Sequence, residues 1–118
     1  MPFADVNDQH IYFEDSGGDG AAVIFSHGFL MDHEMFEPQV GALSGEFRCV
    51  TWDKRGFGQT RATREFTYWD SADDALAPLS HLSIAKAFFV GMSQGGFISM
   101  RAALRAPDRA LGLGLIDT

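Results

Sequence analysis

The sequence predicts an α/β fold in which helices flank a mostly parallel sheet. Two apolar runs, residues 22–26 and 87–90, have the length of a strand and show no alternation of polar and apolar side chains. Strands that are buried on both faces of a parallel sheet have this pattern. Apolar residues at helical spacing follow both runs, and strands that alternate with helices are typical of β-α-β units. We therefore expect a single domain over residues 1–118.

Further strands are predicted on either side of these runs. Residues 10–14 are rich in β-forming side chains and end in the glycine-rich segment 16–20, which indicates that a hairpin opens the fold. Residues 49–52 and 111–116 are apolar and also have the length of strands. About six strands are therefore expected in the sheet.

Three helices are predicted between the strands. Apolar side chains recur at helical spacing over residues 36–43, and again over residues 71–82, where Ser71 is the predicted N-cap. Pro78 lies inside the second helix, and its missing N–H predicts a kink or a break just before it. The third helix is expected to end at about Arg105.

Composition excludes several classes of function. The net charge of −7 repels phosphate backbones, so nucleic acid is not an expected partner. No apolar run approaches the roughly 18 residues of a membrane span, and the N-terminus does not resemble a signal peptide, so we expect a soluble, cytoplasmic protein. The only cysteine, Cys49, lies in an apolar stretch typical of a buried structural thiol. No disulfide, metal site or cofactor is predicted.

The segment Gly-Met-Ser-Gln-Gly-Gly at residues 91–96 lies between a predicted buried strand and a predicted helix. A nucleophile raised above the end of a sheet needs a tight strand-to-helix turn, with small residues two positions away on either side. Gly91 and Gly95 meet that need around Ser93. The N–H of Gln94, at the start of the helix, can then donate to an oxyanion. The alternative is that Ser93 only caps this helix.

Three motifs follow one another along the chain: His27-Gly28-Phe29, the segment Asp-Lys-Arg-Gly-Phe-Gly at residues 53–58, and the serine turn. With them the sequence resembles the α/β-hydrolase superfamily along nearly its whole length. The resemblance implies a second oxyanion donor at the backbone N–H of Phe29, a small ester-like substrate and no cofactor. Ser93 also separates this chain from haloalkane dehalogenases and epoxide hydrolases, which carry a carboxylate at that position.

The resemblance gives structural roles to other polar residues of these motifs. It implies that His27 orders the oxyanion loop and is not the catalytic base. Asp53 and Arg55 also look architectural, with the arginine able to hold loop carbonyls. The remaining histidines are expected to be solvated or structural: His10, His33 and His81.

The triad of this superfamily runs from nucleophile to acid to histidine along the chain. No histidine follows Ser93, and the only later acids are Asp108 and Asp117. Asp108 is expected in a surface connection. Asp117 ends the last predicted strand, a place from which some members supply the acid. The resemblance also implies at least two more strands, a covering helix and usually a cap beyond Thr118.

Two hypotheses for function remain. In the first, the chain is the N-terminal part of a serine hydrolase that cleaves an ester or related acyl bond through an acyl-enzyme on Ser93. A C-terminal segment absent from this chain then supplies the base, as the rest of a cleaved protein or as a second polypeptide. Lactonases, C–C bond hydrolases and perhydrolases use the same parts. In the second hypothesis, the chain is a non-catalytic half-domain or remnant that associates with a complementary polypeptide.

Overall fold

Six strands form one sheet in the computed structural model, which describes residues 2–118. The strands are β1 Phe3–Val6, β2 Gln9–Asp15, β3 Ala22–Ser26, β4 Arg48–Trp52, β5 Ala87–Met92 and β6 Ala110–Ile116. Their order across the sheet is β1-β2-β4-β3-β5-β6. The first two strands pair antiparallel, and β4, β3, β5 and β6 pair parallel. The prediction of a mostly parallel sheet with about six strands is confirmed.

Helices cover both faces of this sheet. They are α1 Glu37–Leu43, α2 Tyr68–His81 and α3 Gln94–Arg105, with 3-10 turns at His33–Phe36 and Pro107–Arg109. Side chains of α2 and α3 pack on one face, against a core that includes Ile24 and Phe89. Phe36 and α1 pack on the other face, against Val23 and Phe25. Neighbouring residues of β3 thus serve opposite cores, which explains why this strand is buried throughout. None of the helices within residues 2–118 combines the length and the apolar content of a membrane span.

The opening hairpin contains a strand that the sequence pattern did not indicate. β1 precedes the predicted strand and pairs with it through a turn at Asn7 and Asp8. Both turn residues have positive φ, 48° and 65°. Two successive residues at positive φ match the twist of a hairpin, and Asn and Asp tolerate that conformation better than most residues. The Asn-Asp pair was therefore the available sequence signal.

The second helix differs from the prediction at its start and in its last turn. Thr67, not Ser71, is the N-cap, and it forms a capping box with Asp70. Pro78 does not break the helix, which continues to His81. Proline removes one backbone hydrogen bond at this point, but the Leu82 N–H still donates to the Pro78 carbonyl at 2.9 Å. The buried side chains of this turn pack in the core under the sheet, which stabilises the helix on both sides of Pro78.

A buried ion pair joins the loop after β4 to the second helix. The Arg55 guanidinium donates from Nε and Nη2 to the two carboxylate oxygens of Asp74, at 2.7 and 3.1 Å. Both side chains are fully buried. Burial raises the pKa of the Asp74 carboxyl, and the hydrogen bonds and positive charge of Arg55 oppose that shift. The expectation that Arg55 holds loop carbonyls is wrong, because its partner is this carboxylate on α2.

Replacing Arg55 with methionine should destabilise the fold by about 3–5 kcal/mol, because it leaves the Asp74 charge buried without a partner. Thermal unfolding followed by circular dichroism measures the change. Arg48→Met is the matched control, since it removes the more exposed pair with Asp15 and should cost no more than about 1 kcal/mol. Equal losses in the two variants would contradict a special role for the buried pair.

Candidate active site

Ser93 lies on the predicted strand-to-helix turn, between β5 and α3. Its backbone has φ 53° and ψ −113°, a region that residues other than glycine rarely occupy. Two hydrogen bonds hold this conformation: Ser93 N–H donates to the Ile116 carbonyl at 2.9 Å, and Gly96 N–H donates to the Ser93 carbonyl at 3.0 Å. The Ser93 hydroxyl makes no capping hydrogen bond to α3. The alternative of a simple helix cap therefore lacks its defining contact.

Close backbone approach explains the glycines on either side of Ser93. A Cβ atom added at Gly95 would overlap the carbonyl of Ser26 at the end of β3. A Cβ atom at Gly91 would overlap the backbone of Gly95. These neighbours are backbone atoms and cannot rotate away. The tight turn expected from the sequence thus depends on two positions that admit no side chain.

Phe29 lies in a turn that directly follows the end of β3. The turn closes with a hydrogen bond from Met31 N–H to the Gly28 carbonyl at 3.2 Å, and Leu30 has a positive φ of 61°. Within residues 2–118, the backbone N–H groups of Phe29 and Gln94 make no hydrogen bond. Gln94 is the first residue of α3, where backbone N–H groups have no partner inside the helix.

His27 is fully buried, and both of its ring nitrogens are engaged. Nδ1 lies 2.8 Å from the Gly28 carbonyl oxygen, and Nε2 accepts the backbone N–H of Lys54 at 3.0 Å. Burial lowers the pKa of His27 to about 4, so the ring is neutral near pH 7. His27 therefore ties the turn after β3 to the loop after β4. No ring nitrogen is left to accept a proton from Ser93.

Asp53 organises the loop that follows β4. Its buried carboxylate accepts hydrogen bonds from the backbone N–H of His33 at 2.7 Å and of Gln59 at 2.8 Å. It also faces His33 Nδ1 at 2.8 Å. Burial alone would lower the pKa of His33, but the hydrogen bond to Asp53 and the nearby carboxylates raise it. His33 thus helps to hold the loop after β4 through its contacts with Asp53.

A cavity of about 230 Å³ lies beside the serine turn. Its walls are mainly aromatic or aliphatic. The charged or polar lining residues are Lys54, Arg55, Ser71 and Gln94, and the others are Phe29, Phe57, Phe66, Tyr68 and Ile98. Lys54 Nζ donates to Gln94 Oε1 at 2.7 Å and lies 5.1 Å from the centre of the Phe57 ring. No sequence pattern indicated a role for Lys54. The available signal was its position in the loop after a predicted strand, two residues before Gly56 and at the same edge of the sheet as Ser93.

Asp117 follows β6 at the same edge of the sheet. Met92 pairs with Ile116 in the parallel ladder, so the residues that follow, Ser93 and Asp117, leave the sheet side by side. The Asp117 side chain is exposed, and within residues 2–118 it makes no hydrogen bond to a histidine. Asp108 lies in the 3-10 turn before β6, at the opposite end of the strand, as expected for a surface connection.

Replacing Gly95 with valine should destabilise the protein by more than about 2 kcal/mol, because the new side chain meets the Ser26 carbonyl in a turn with no free space. Soluble yield and the thermal midpoint measure the effect. Gly41→Val is the control, since Gly41 is also helical but has open space around its Cα. A Gly95→Val protein as stable and soluble as the control would contradict the tight turn.

Comparison with known proteins places this arrangement in a family. A family model described as "alpha/beta hydrolase fold" matches residues 21–118. The chain is 40% identical over 79 residues to 3-oxoadipate enol-lactonase 1 of Acinetobacter baylyi, which covers 67% of this chain and 30% of that protein. It is 36% identical over 101 residues to the AB hydrolase superfamily protein YisY of Bacillus subtilis, with 83% of this chain and 38% of that protein covered.

Solved structures agree with this result. The enol-lactonase from Burkholderia xenovorans superposes with a TM-score of 0.89 and 33% identity, over 95% of this chain and 45% of that one. A thermophilic esterase from Thermogutta terrifontis superposes with a TM-score of 0.86 and 32% identity, over 98% of this chain and 43% of that one. The chain thus spans less than half the length of these relatives, and it belongs to the α/β hydrolase fold family.

Proposed function

We propose that this chain carries the nucleophile and the oxyanion-binding amides of a serine hydrolase that cleaves an ester or a related acyl bond. The observation that carries the proposal is the backbone of Ser93, held at a positive φ with a hydroxyl that does not cap α3. Strain of this kind persists where the surrounding structure fixes it, and it is concentrated at functional sites. It raises the serine above the sheet, where a substrate can reach it.

The reaction begins when Ser93 Oγ attacks the substrate carbonyl and a base takes the hydroxyl proton. The negative charge that develops on the carbonyl oxygen is stabilised by the N–H groups of Phe29 and Gln94, which have no other acceptor within residues 2–118. The leaving alcohol takes the proton from the base, and the acyl group stays on Ser93. Water then attacks this ester with the help of the same base, which frees the acid and restores the serine.

The base in this scheme comes from a C-terminal segment outside this chain, and we call this chain together with that segment the completed hydrolase. His27 cannot serve, because both of its ring nitrogens are engaged. The acid is Asp117 or a residue of the same segment. The share of the relatives' length that this chain covers, 30–45%, supports a need for further chain.

An apolar surface supports the same need. Leucines of the edge strand β6 remain about half exposed, and Leu113 borders an apolar cavity of about 410 Å³ on the face that α1 only partly covers. Apolar surface of this kind on a sheet is normally covered by other elements. The complementary segment would cover it.

The relatives favour acyl chemistry over other hydrolase reactions. Two carry the name of enol-lactonase and one that of esterase, and these names describe cleavage of an acyl–oxygen bond. Structures of epoxide hydrolases share the fold at 27% identity. A serine nucleophile forms an acyl ester rather than the alkyl ester that opens an epoxide. The scheme needs no metal or organic cofactor.

The rival function is a non-catalytic half-domain that binds a complementary polypeptide. The same exposed leucines of β6 and the lack of an available base within residues 2–118 favour it. The two functions differ in whether Ser93 is reactive once the fold is completed.

In the completed hydrolase, a fluorophosphonate should modify Ser93, because only a serine activated by a base attacks phosphorus at a useful rate. Peptide mapping by mass spectrometry locates the adduct. Ser93→Ala should lower ester turnover by at least about 1,000-fold without loss of stability. Ser44→Ala, on the exposed end of α1, is the control and should leave turnover unchanged. A labelled serine elsewhere, with Ser93 unmodified, would favour the half-domain.

Residues 1–118 expressed alone should show no hydrolysis that depends on Ser93 and should not be a monodisperse monomer. A serine hydroxyl without a positioned base is a poor nucleophile near neutral pH, and the apolar edge strand invites association. Turnover of p-nitrophenyl esters, compared with Ser93→Ala, and light scattering on the same material test both points. A monomer whose activity disappears in Ser93→Ala would contradict the proposal and would make His27 the first base to examine.

A further inference from the structure

Lys54 has a buried ammonium group for which the described residues, 2–118, provide no counter-ion. The residue is only 3% exposed, and Nζ makes one hydrogen bond, to the amide oxygen of Gln94. Within residues 2–118 no carboxylate lies within ion-pair distance of Nζ. An ammonium has three N–H donors, so two of them lack a strong acceptor. The Phe57 ring face is their remaining neighbour.

Burying an unpaired ammonium costs desolvation free energy, and proteins usually place a carboxylate beside it. Burial lowers the pKa of Lys54 to about 8, so the side chain is still mostly protonated at pH 7. The neighbouring Arg55 shows the usual solution, since it is equally buried but faces the Asp74 carboxylate. The charge of Arg55 is thus matched within the fold, whereas the charge of Lys54 is not.

The cavity beside the serine turn gives the ammonium a place to meet a ligand. Lys54 and Gln94 form part of its lining, and Gln94 directly follows Ser93 in the chain. Aromatic side chains on its walls lower the local polarity, which strengthens an ion pair formed there relative to one in open water. Its volume of about 230 Å³ gives room for a short acyl chain.

We propose that this cavity binds the acyl part of a substrate that carries a carboxylate, and that Lys54 is the residue that receives this carboxylate. The inference rests on the proposed function and specifies its substrate class: esters or lactones of short dicarboxylic acids, in which one carboxyl group is free. The free carboxylate accepts the two unused N–H donors of Lys54, and the methylene chain lies against Phe57 and Phe66. Its other end then reaches Ser93.

The first experiment compares two esters in the completed hydrolase: p-nitrophenyl hydrogen glutarate, which is anionic, and its methyl ester, which has the same chain without the charge. The wild type should prefer the anionic ester in kcat/KM by 10-fold or more, and Lys54→Met should lower that ratio by at least about 10-fold. Lys54→Arg should retain part of it. Lys86→Met, at the only other lysine, is the control and should leave both the ratio and the turnover unchanged, since Lys86 is exposed.

The pattern of losses distinguishes the outcomes. The inference is overturned if the ratio of kcat/KM for the anionic ester to kcat/KM for the methyl ester is the same in Lys54→Met as in wild type. An equal loss of kcat/KM for both esters leaves that ratio unchanged and would mean that Lys54 positions Gln94. Inhibition of the wild type by glutarate and by its monoamide decides the question if Lys54→Met is insoluble. Glutarate should inhibit at least 10-fold more strongly, and equal inhibition overturns the inference.

A binding experiment separates this inference from the proposed function. Calorimetry measures the binding of glutarate to the Ser93→Ala form of the completed hydrolase, with and without Lys54→Met. No turnover interferes, because Ser93 is absent. Glutarate binding that depends on Lys54, with Ser93 unreactive to fluorophosphonate, would support the cavity and reject the hydrolase. A labelled Ser93 without Lys54-dependent binding would reject only the carboxylate site.

Discussion

The close contact between the first turn of α3 and the end of β3 is the constraint on which the site depends. Gly95 lies against the Ser26 carbonyl with no room for a side chain. This approach forces the chain to reverse within a few residues after β5, and Ser93 absorbs the reversal at a positive φ. Because Phe29 follows Ser26 by three residues, the same contact also brings the second proposed oxyanion donor to the serine turn.

Three consecutive residues after β4 fasten this arrangement to the rest of the fold. Asp53 holds His33 before α1, and Arg55 holds Asp74 on α2. Lys54 lies between them and connects with both halves of the site, through its backbone N–H to His27 and through Nζ to the side chain of Gln94. The two outer residues have charged or hydrogen-bonded partners that match them within the fold. The central one has a neutral partner, which leaves its charge available.

Features that depend on near neighbours in the chain were predictable, and features that depend on distant partners were not. The serine turn and the buried strands follow from glycine spacing and apolar runs, which are local. Pro78 was predicted to kink or break α2, and the break does not occur, because helix propensity gives way to packing when the turn is buried against a sheet. Arg55 has its partner 19 residues away, and no local pattern identifies Asp74 among the acidic residues of α2. The position of Lys54 beside Gln94, 40 residues later in the chain, likewise cannot be predicted from the local sequence.

The proposed serine site lies at the carboxyl end of the strand next to β6, whose leucines are exposed. In a parallel sheet the ends of all strands that run the same way lie along one edge, and neighbouring strands are about 4.8 Å apart. Ser93 and Asp117 leave adjacent strands there. A strand added beside β6 would cover its exposed leucines and end about 10 Å from Ser93, within reach of a side chain on the following loop. In the proposed hydrolase, a segment that covered these leucines would thus also be placed to supply the base, and one association would complete both the sheet and the site.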